Sequence, residues 1–94
     1  MEAYEGMYKS AKIRVEYKGF IGLSSINLVI NGKLSDTVKC SLKDVVENKT
    51  LQSVIVIDGE ELVVVAKIKT AGRLIYEEPE VYVGNSKIPM IRVS

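Results

Sequence analysis

The sequence predicts an all-β protein, either a small antiparallel barrel or a β-sandwich, with six to seven strands and one short helix. Two observations carry this prediction. Valine and isoleucine supply 23 of the 94 residues and alanine only four, and β-branched side chains pack better on a pleated sheet than in a helix. Several segments also alternate apolar and polar residues between tight-turn sequences, which is typical of short antiparallel strands.

The chain is long enough for one domain and one core. Residues 1–10 mix aromatic and charged side chains, and they are predicted to form an N-terminal arm or a short first strand. Residues 11–94 are predicted to form a single β domain. Within that domain, Lys12–Lys18 alternates without error between apolar and charged residues. This pattern indicates a half-exposed strand.

The next two strands are predicted to form a hairpin. Ile26–Ile30 continues the alternation, and Asn31-Gly32 follows it directly. Both residues tolerate the positive φ angles of a type I′ turn, which favours a two-residue hairpin. The return strand, Lys33–Cys40, is expected to turn Leu34, Val38 and Cys40 inward. Strict alternation would turn Asp36 inward as well, so a bulge or an edge position is expected there.

The short helix is predicted over Ser41–Asn48. Ser41 and Asp44 have the spacing of a capping box, in which side chains at both positions bond free backbone amides. Apolar residues at Leu42, Val45 and Val46 would lie on one helical face. A helix of about two turns is too short to be stable alone and would have to pack on the sheet.

The second half of the chain is predicted to hold the remaining strands. A second hairpin signal, Asp58-Gly59, separates Leu51–Ile57 from Glu60–Lys69. The later strand pieces are Arg73–Glu77, Glu80–Val83 and Lys87–Val93. Pro79 should interrupt a ladder or mark an edge, and Pro89 should confine the closing strand to an edge or a bulge. The predicted core is Ile13, Val15, Leu28, Ile30, Val38, Leu62, Val64 and Ile68.

Composition argues against an enzyme. Histidine is absent, so the usual general base at neutral pH and the commonest metal ligand are missing. The single cysteine, Cys40, cannot form an intrachain disulfide and is expected to be buried. The acidic groups around Glu61 and Glu78 are expected to be solvated turns. The sequence therefore predicts no catalytic residue, no metal and no cofactor.

Residues 1–8 do not have the pattern of a signal peptide, since they contain two glutamates and no long apolar run. No apolar run in the sequence approaches the roughly 20 residues that a membrane span needs. These features predict a cytoplasmic protein that makes no membrane contact. Asparagine and glutamine together number five, while lysine, glutamate, valine and isoleucine are abundant. This composition resembles that of thermophile proteins.

The order of elements, three strands, a short helix and then further strands, resembles that of the OB-fold over residues 11–93. The resemblance implies a binding face on the central strands. It suggests a non-catalytic binding module that acts on single-stranded nucleic acid or serves as an accessory subunit of a nucleic-acid machine. Aromatic residues interleaved with basic ones would suit such a ligand. The candidate nucleic-acid-binding residues are Lys12, Arg14, Tyr17, Lys18, Lys67, Lys69, Arg73 and Tyr76. The net charge of +1 does not itself favour a nucleic-acid partner.

The alternative prediction is a protein-interaction or assembly domain, such as a β-sandwich that forms a homo-oligomer. Leu62–Ala66 is apolar on both faces of its strand. If Leu62 and Val64 face the core, then Val63 and Val65 face outward and need another cover. The helix, barrel closure or a partner protein could supply that cover, so Val63 and Val65 are the candidate interface residues.

Overall fold

A computed structural model describes residues 2–20, 23–41, 48–72 and 75–94. In these ranges eleven strands are present. They are β1 (Glu2–Tyr8), β2 (Ala11–Phe20), β3 (Leu23–Ile30), β4 (Lys33–Ser41), β5 (Lys49–Ile57), β6 (Glu60–Ile68), β7 (Thr70–Gly72), β8 (Ile75–Tyr76), β9 (Glu80–Val83), β10 (Ser86–Ile88) and β11 (Ile91–Arg92). The all-β prediction is confirmed, but the number of strands exceeds the six to seven predicted. The excess arises because residues 2–8 pair as a strand and because the later segments break into short pieces.

The strands form two main antiparallel sheets. The first sheet has the order β11-β1-β2-β3-β4, and the second has the order β10-β9-β6-β5. β7 and β8 pair separately. The described strands form no closed barrel, so the arrangement fits the sandwich alternative. The body of the predicted helix, residues 42–47, lies outside the described residues, and none of the described residues forms a helix that could cross a membrane.

Pro89 joins the two sheets along one side of the sandwich. The predicted closing strand is divided here, since β10 is an edge of the second sheet and β11 is an edge of the first. Both pieces are edge strands, as the proline predicted. The corner passes close to Gly6, where a Cβ atom would lie 2.5 Å from the Pro89 carbonyl oxygen and 2.7 Å from Met90 Sδ. The absence of a side chain at Gly6 therefore permits this crossing.

Asp36 joins the sheets along the opposite side. β4 is an edge strand, and its register with β3 shifts between Leu28 and Val29, which leaves Ser35 as an extra residue. The predicted bulge and edge position are thus confirmed. The Asp36 carboxylate accepts hydrogen bonds from the Thr37 amide and, across the seam, from the Gln52 amide of β5, each 2.9 Å long. The Asp36 side chain thus links the edge strands β4 and β5, which are not paired by a backbone ladder.

The core lies between the two sheets. Six of the eight predicted core residues are buried, and Val38 and Leu62 are partly buried against the same cluster. Cys40 is buried as expected. The prediction for Leu34 is wrong, because its side chain is 61% exposed. The bulge at Ser35 adds one residue to the strand, which reverses the face of every position before it.

Both predicted hairpin turns are confirmed. Asn31 and Gly32 have φ angles of 51° and 81°, and Asp58 and Gly59 have φ angles of 52° and 77°. Two consecutive positive φ angles define the type I′ turn. At the first turn, the Lys12 amide donates to Asn31 Oδ1 over 2.9 Å, and the Asn31 amide donates to the Lys12 carbonyl over the same distance.

Replacing Gly32 by valine should lower the free energy of unfolding by roughly 1–2 kcal/mol, because a β-branched residue resists positive φ. Nothing lies within 4 Å of the added Cβ, so the cost is backbone strain alone. Gly19→Val is the matched control, since Gly19 also has open space around it but lies in a strand. Urea unfolding of both variants measures the difference. Equal stabilities would contradict the strained turn.

Candidate interaction surfaces

The second sheet carries four outward valines on two neighbouring strands, and we call this surface the valine face. On β5, Val54 and Val56 are 57% and 65% exposed; on β6, Val63 is 48% exposed and Val65 is half-buried. Val54 lies directly opposite Val63 in the ladder. The four side chains therefore form one continuous apolar surface on the outside of the sandwich.

Alternation along β6 explains this surface. Val64, Ala66 and Ile68 are buried, and Leu62 packs against the same core. Side chains in a strand alternate between faces, so Val63 and Val65 must point away from that core. Val63 and Val65 lie where the sequence predicted, whereas Val54 and Val56 were not predicted as surface residues. All four residues of Val54–Ile57 are apolar, so the sequence does not show which of them face the core. The burial pattern of β5 and its pairing with β6 show that Val54 and Val56 face outward.

Polar side chains and one glycine, Gly84, border the valine face. Glu61 and Lys67 continue the outward series of β6 at its two ends. Tyr82 of β9 lies opposite Val65, and the ammonium group of Lys67 lies 5.4 Å from the centre of the Tyr82 ring. The Gly84 amide donates to the Val63 carbonyl over 2.9 Å, so the residue beside Val63 has no side chain.

The outer face of the first sheet carries charged side chains in ion pairs. Arg14 lies 2.7 Å from a carboxylate oxygen of Glu5 and 2.8 Å from one of Glu16, and Lys12 lies 3.2 Å from Glu5. The hydrogen bond from Arg14 lowers the pKa of the Glu5 carboxyl, and the bond to Glu5 raises the pKa of Arg14. The charges of Lys12 and Arg14 are therefore largely balanced within the sheet.

The two tyrosines that were candidates for base stacking pack against each other. The Tyr17 ring centre is 5.7 Å from that of Tyr4 and 6.1 Å from that of Tyr76. The Tyr17 hydroxyl donates a 2.7 Å hydrogen bond to the Glu77 carbonyl. Tyr17 thus packs within a cluster of rings and links β2 to the segment before β9.

The structure separates the candidate nucleic-acid-binding residues into several groups. Lys12, Arg14 and Lys18 lie on the face of β2 opposite Tyr17, and Glu16 stands between the last two on that face. Lys67 lies on the second sheet, and Lys69 lies 3.7 Å from Glu80. Arg73 is outside the described residues. Among the candidates that the structure describes, Tyr17 and Tyr76 contact each other. Nucleic-acid binding stays a prediction.

Tyr17→Phe should reduce the alkaline sensitivity of the fold. Burial, together with Tyr4 and Glu2, raises the pKa of Tyr17 well above its ordinary value. The protonated phenol therefore stabilises the fold fully below about pH 10, and this contribution is lost as the pH rises through the raised pKa. The variant should lose about 1 kcal/mol at pH 7, where it lacks the bond to Glu77. Above pH 10 its stability should fall less steeply than that of the wild type. Denaturant unfolding from pH 7 to 12 measures both effects, and parallel curves would contradict the prediction.

A second apolar surface borders a groove near the Pro89 corner. The groove has a volume of about 410 Å³, and Met7, Ile91 and Val93 line it together with Gly6 and Pro89. Glu5 and Lys12, the ion pair described above, form its polar wall. The groove thus combines apolar lining residues with charges that already have partners.

Metal-ligating side chains do not cluster among the described residues. In the ranges that the structure describes, no group of three or more acidic or cysteine side chains could hold a metal ion. The single thiol, Cys40, is buried. What distinguishes the surface is the contrast between the outer faces, since one carries linked ion pairs and the other carries exposed valines.

Fold and surfaces together define a small two-sheet β domain with an apolar outer face. Comparison with known proteins adds no relative to this description. No protein-family model matches the chain, and neither a curated protein nor a solved structure shows significant similarity to it. The function must therefore be inferred from the residues and geometry of the chain.

Proposed function

We propose that this protein is a non-catalytic protein-interaction domain and that the valine face is its contact surface. The observation that carries the proposal is the exposure of Val54, Val56 and Val63 side by side on two paired strands. Burying apolar surface yields about 25 cal/mol per Å², so a contiguous patch is a source of binding free energy. Contiguous exposed patches of this kind commonly mark protein interfaces.

The position of the valine face favours a macromolecular partner. The face is formed by paired strands, so its backbone is held by the ladder of the second sheet before any partner binds. A preformed surface loses little conformational entropy on binding. It is also open and free of paired carboxylates or a nucleophile and base, which suits protein contact rather than chemistry.

Association with single-stranded nucleic acid, through an OB-like binding face, is the competing prediction, and the geometry supports it less well. Such binding needs a continuous basic surface with accessible rings. Here Arg14 forms ion pairs with Glu5 and Glu16, and Tyr17 packs against other rings. The two classes differ in their dependence on salt, because contacts to phosphates weaken steeply as salt rises whereas apolar contacts do not.

Val63→Lys should abolish protein association while leaving the fold intact. A charge at this exposed site is tolerated in water but not in a dry interface. Leu34→Lys is the matched control, because it makes the same kind of change at an exposed apolar residue of the first sheet. Sedimentation velocity over a range of concentrations measures self-association. A photo-cross-linking residue at Val63, used in extracts of the source cells, detects a different protein partner.

Association that Val63→Lys abolishes and Leu34→Lys preserves would support the proposal, whether the partner is the same chain or another. Three results would overturn it. The first is a wild type that neither self-associates nor cross-links from Val63. The second is a Val63→Lys variant that does not fold, which would show this valine to be core. The third is salt-sensitive retention on single-stranded DNA or RNA that survives Val63→Lys, which would favour the nucleic-acid prediction.

A further inference from the structure

We infer that the partner of the valine face is a second copy of this chain, packed face to face with the first. The two copies are related by a two-fold axis that lies between the facing sheets, runs across the strands and passes over Val64. This inference rests on the proposed function. It begins with the outward series of β6, which is Glu61, Val63, Val65 and Lys67. The series reads the same in reverse except that the charges exchange. When two copies of β6 face each other in antiparallel orientation, Val63 meets Val65, and Glu61 meets Lys67.

The strand beside β6 has a matching complementarity of shape. Residues directly opposite each other on neighbouring strands form a row across the sheet. Tyr82 lies in the row of Val65, and Gly84 lies in the row of Val63. The same axis exchanges these two rows. It therefore sets the bulky ring of Tyr82 against the position where the other copy has no side chain. A symmetric interface needs such self-complementarity, because one patch must fit an identical patch.

On the other side of β6, the strand β5 completes the surface. Val54 lies in the row of Val63, and Gln52 lies in the row of Val65. The axis therefore sets Val54 against Gln52 of the other copy, and Val56 against Thr50. The stems of these polar residues can cover the valines while their polar ends remain at the rim, which is the usual arrangement of an interface.

Charge also favours a second copy. In the described part of the chain, Glu61 forms no ion pair within 4.0 Å. Lys67 contacts the Tyr82 ring, and although it lies opposite Glu80 in the ladder it forms no ion pair within 4.0 Å among the described residues. Both side chains are exposed. Glu61 and Lys67 lie on opposite sides of the axis, each about three residues of strand, or roughly 10 Å, from it. The axis therefore brings Glu61 of one copy opposite Lys67 of the other. Facing sheets also lie about 10 Å apart, a gap that glutamate and lysine side chains can span together.

Charge reversal provides the decisive experiment. Glu61→Lys alone places two like-charge pairs in the dimer, as does Lys67→Glu alone. Each variant should self-associate at least roughly tenfold more weakly than the wild type in sedimentation equilibrium, with a smaller loss at high salt. An equimolar mixture of the two variants should associate with wild-type strength, because both contacts of the mixed dimer then join opposite charges. Glu60→Lys is the control, since it reverses a neighbouring exposed charge on the other face of the strand.

Restored association in the mixture, with no effect of Glu60→Lys, would establish the two-fold axis. Two variants that both associate like the wild type would overturn the axis, although loss of association in Val63→Lys would still support an interface at this face. A monomeric wild type would overturn the second copy as partner. In that case, cross-links from Val63 to another protein would preserve the proposed function, and their absence would remove both.

Discussion

Leu28→Ala is expected to lower the free energy of unfolding by about 2–5 kcal/mol. Leu28 is fully buried on β3, where it lies between its ladder partners Val15 of β2 and Asp36 of β4. The substitution removes buried methyl groups and leaves a cavity, since paired strands on both sides limit collapse of the surroundings. A domain of this size has about 5–15 kcal/mol of stability, so the loss is a large share of the total.

Leu34→Ala tests whether burial is the cause. It makes the same chemical change at an exposed site, and it should alter stability by no more than about 0.5 kcal/mol. Urea unfolding of both variants at pH 7 gives the comparison. Equal losses in the two variants would show that the assignment of faces along β3 and β4 is wrong.

Gly6→Ala is the second substitution with a large expected effect, about 1–3 kcal/mol or more. A Cβ atom at Gly6 would lie 2.5 Å from the Pro89 carbonyl oxygen and 3.0 Å from Ile88 Cγ2. The nearest of these atoms belongs to the backbone, so a rotamer change cannot relieve the contact. The corner between β10 and β11 would have to move away from β1.

Gly19→Ala provides the control for Gly6→Ala, because both glycines lie in strands and nothing lies within 4 Å of a Cβ at Gly19. Thermal unfolding should show a lower midpoint for Gly6→Ala alone. Equal midpoints would mean that the corner at Pro89 does not press on β1.

Local signals predicted the hairpins and much of the core. Asn31-Gly32 and Asp58-Gly59 form the expected turns because adjacent residues alone determine the access to positive φ. Alternation assigned Ile13 and Val15 to the core because a strand reverses side-chain direction at every residue. The same regularity placed Val63 and Val65 on the outer face, which is half of the valine face.

Contacts between distant residues limited what could be predicted. Leu34 was assigned to the wrong face because a single bulge residue, Ser35, changes the register, and the sequence placed the bulge only near Asp36. The predicted nucleic-acid residues were chosen by proximity along the chain. The structure shows instead that Tyr17 turns toward Tyr4 while Arg14 turns toward Glu5.

The sequence by itself determined the β class, the two hairpin turns and the alternation that leaves valines on both sides of β6. These properties depend on steric preferences within a few residues of chain. Only the tertiary structure decided that β11 crosses to pair with β1 and that Asp36 bonds β5 across the seam. It also set Val54 beside Val63, which makes a surface out of separate valines. These features depend on pairing between strands that are distant in the sequence. In such pairing, a register shift of one residue turns every side chain of a strand to the other face of the sheet.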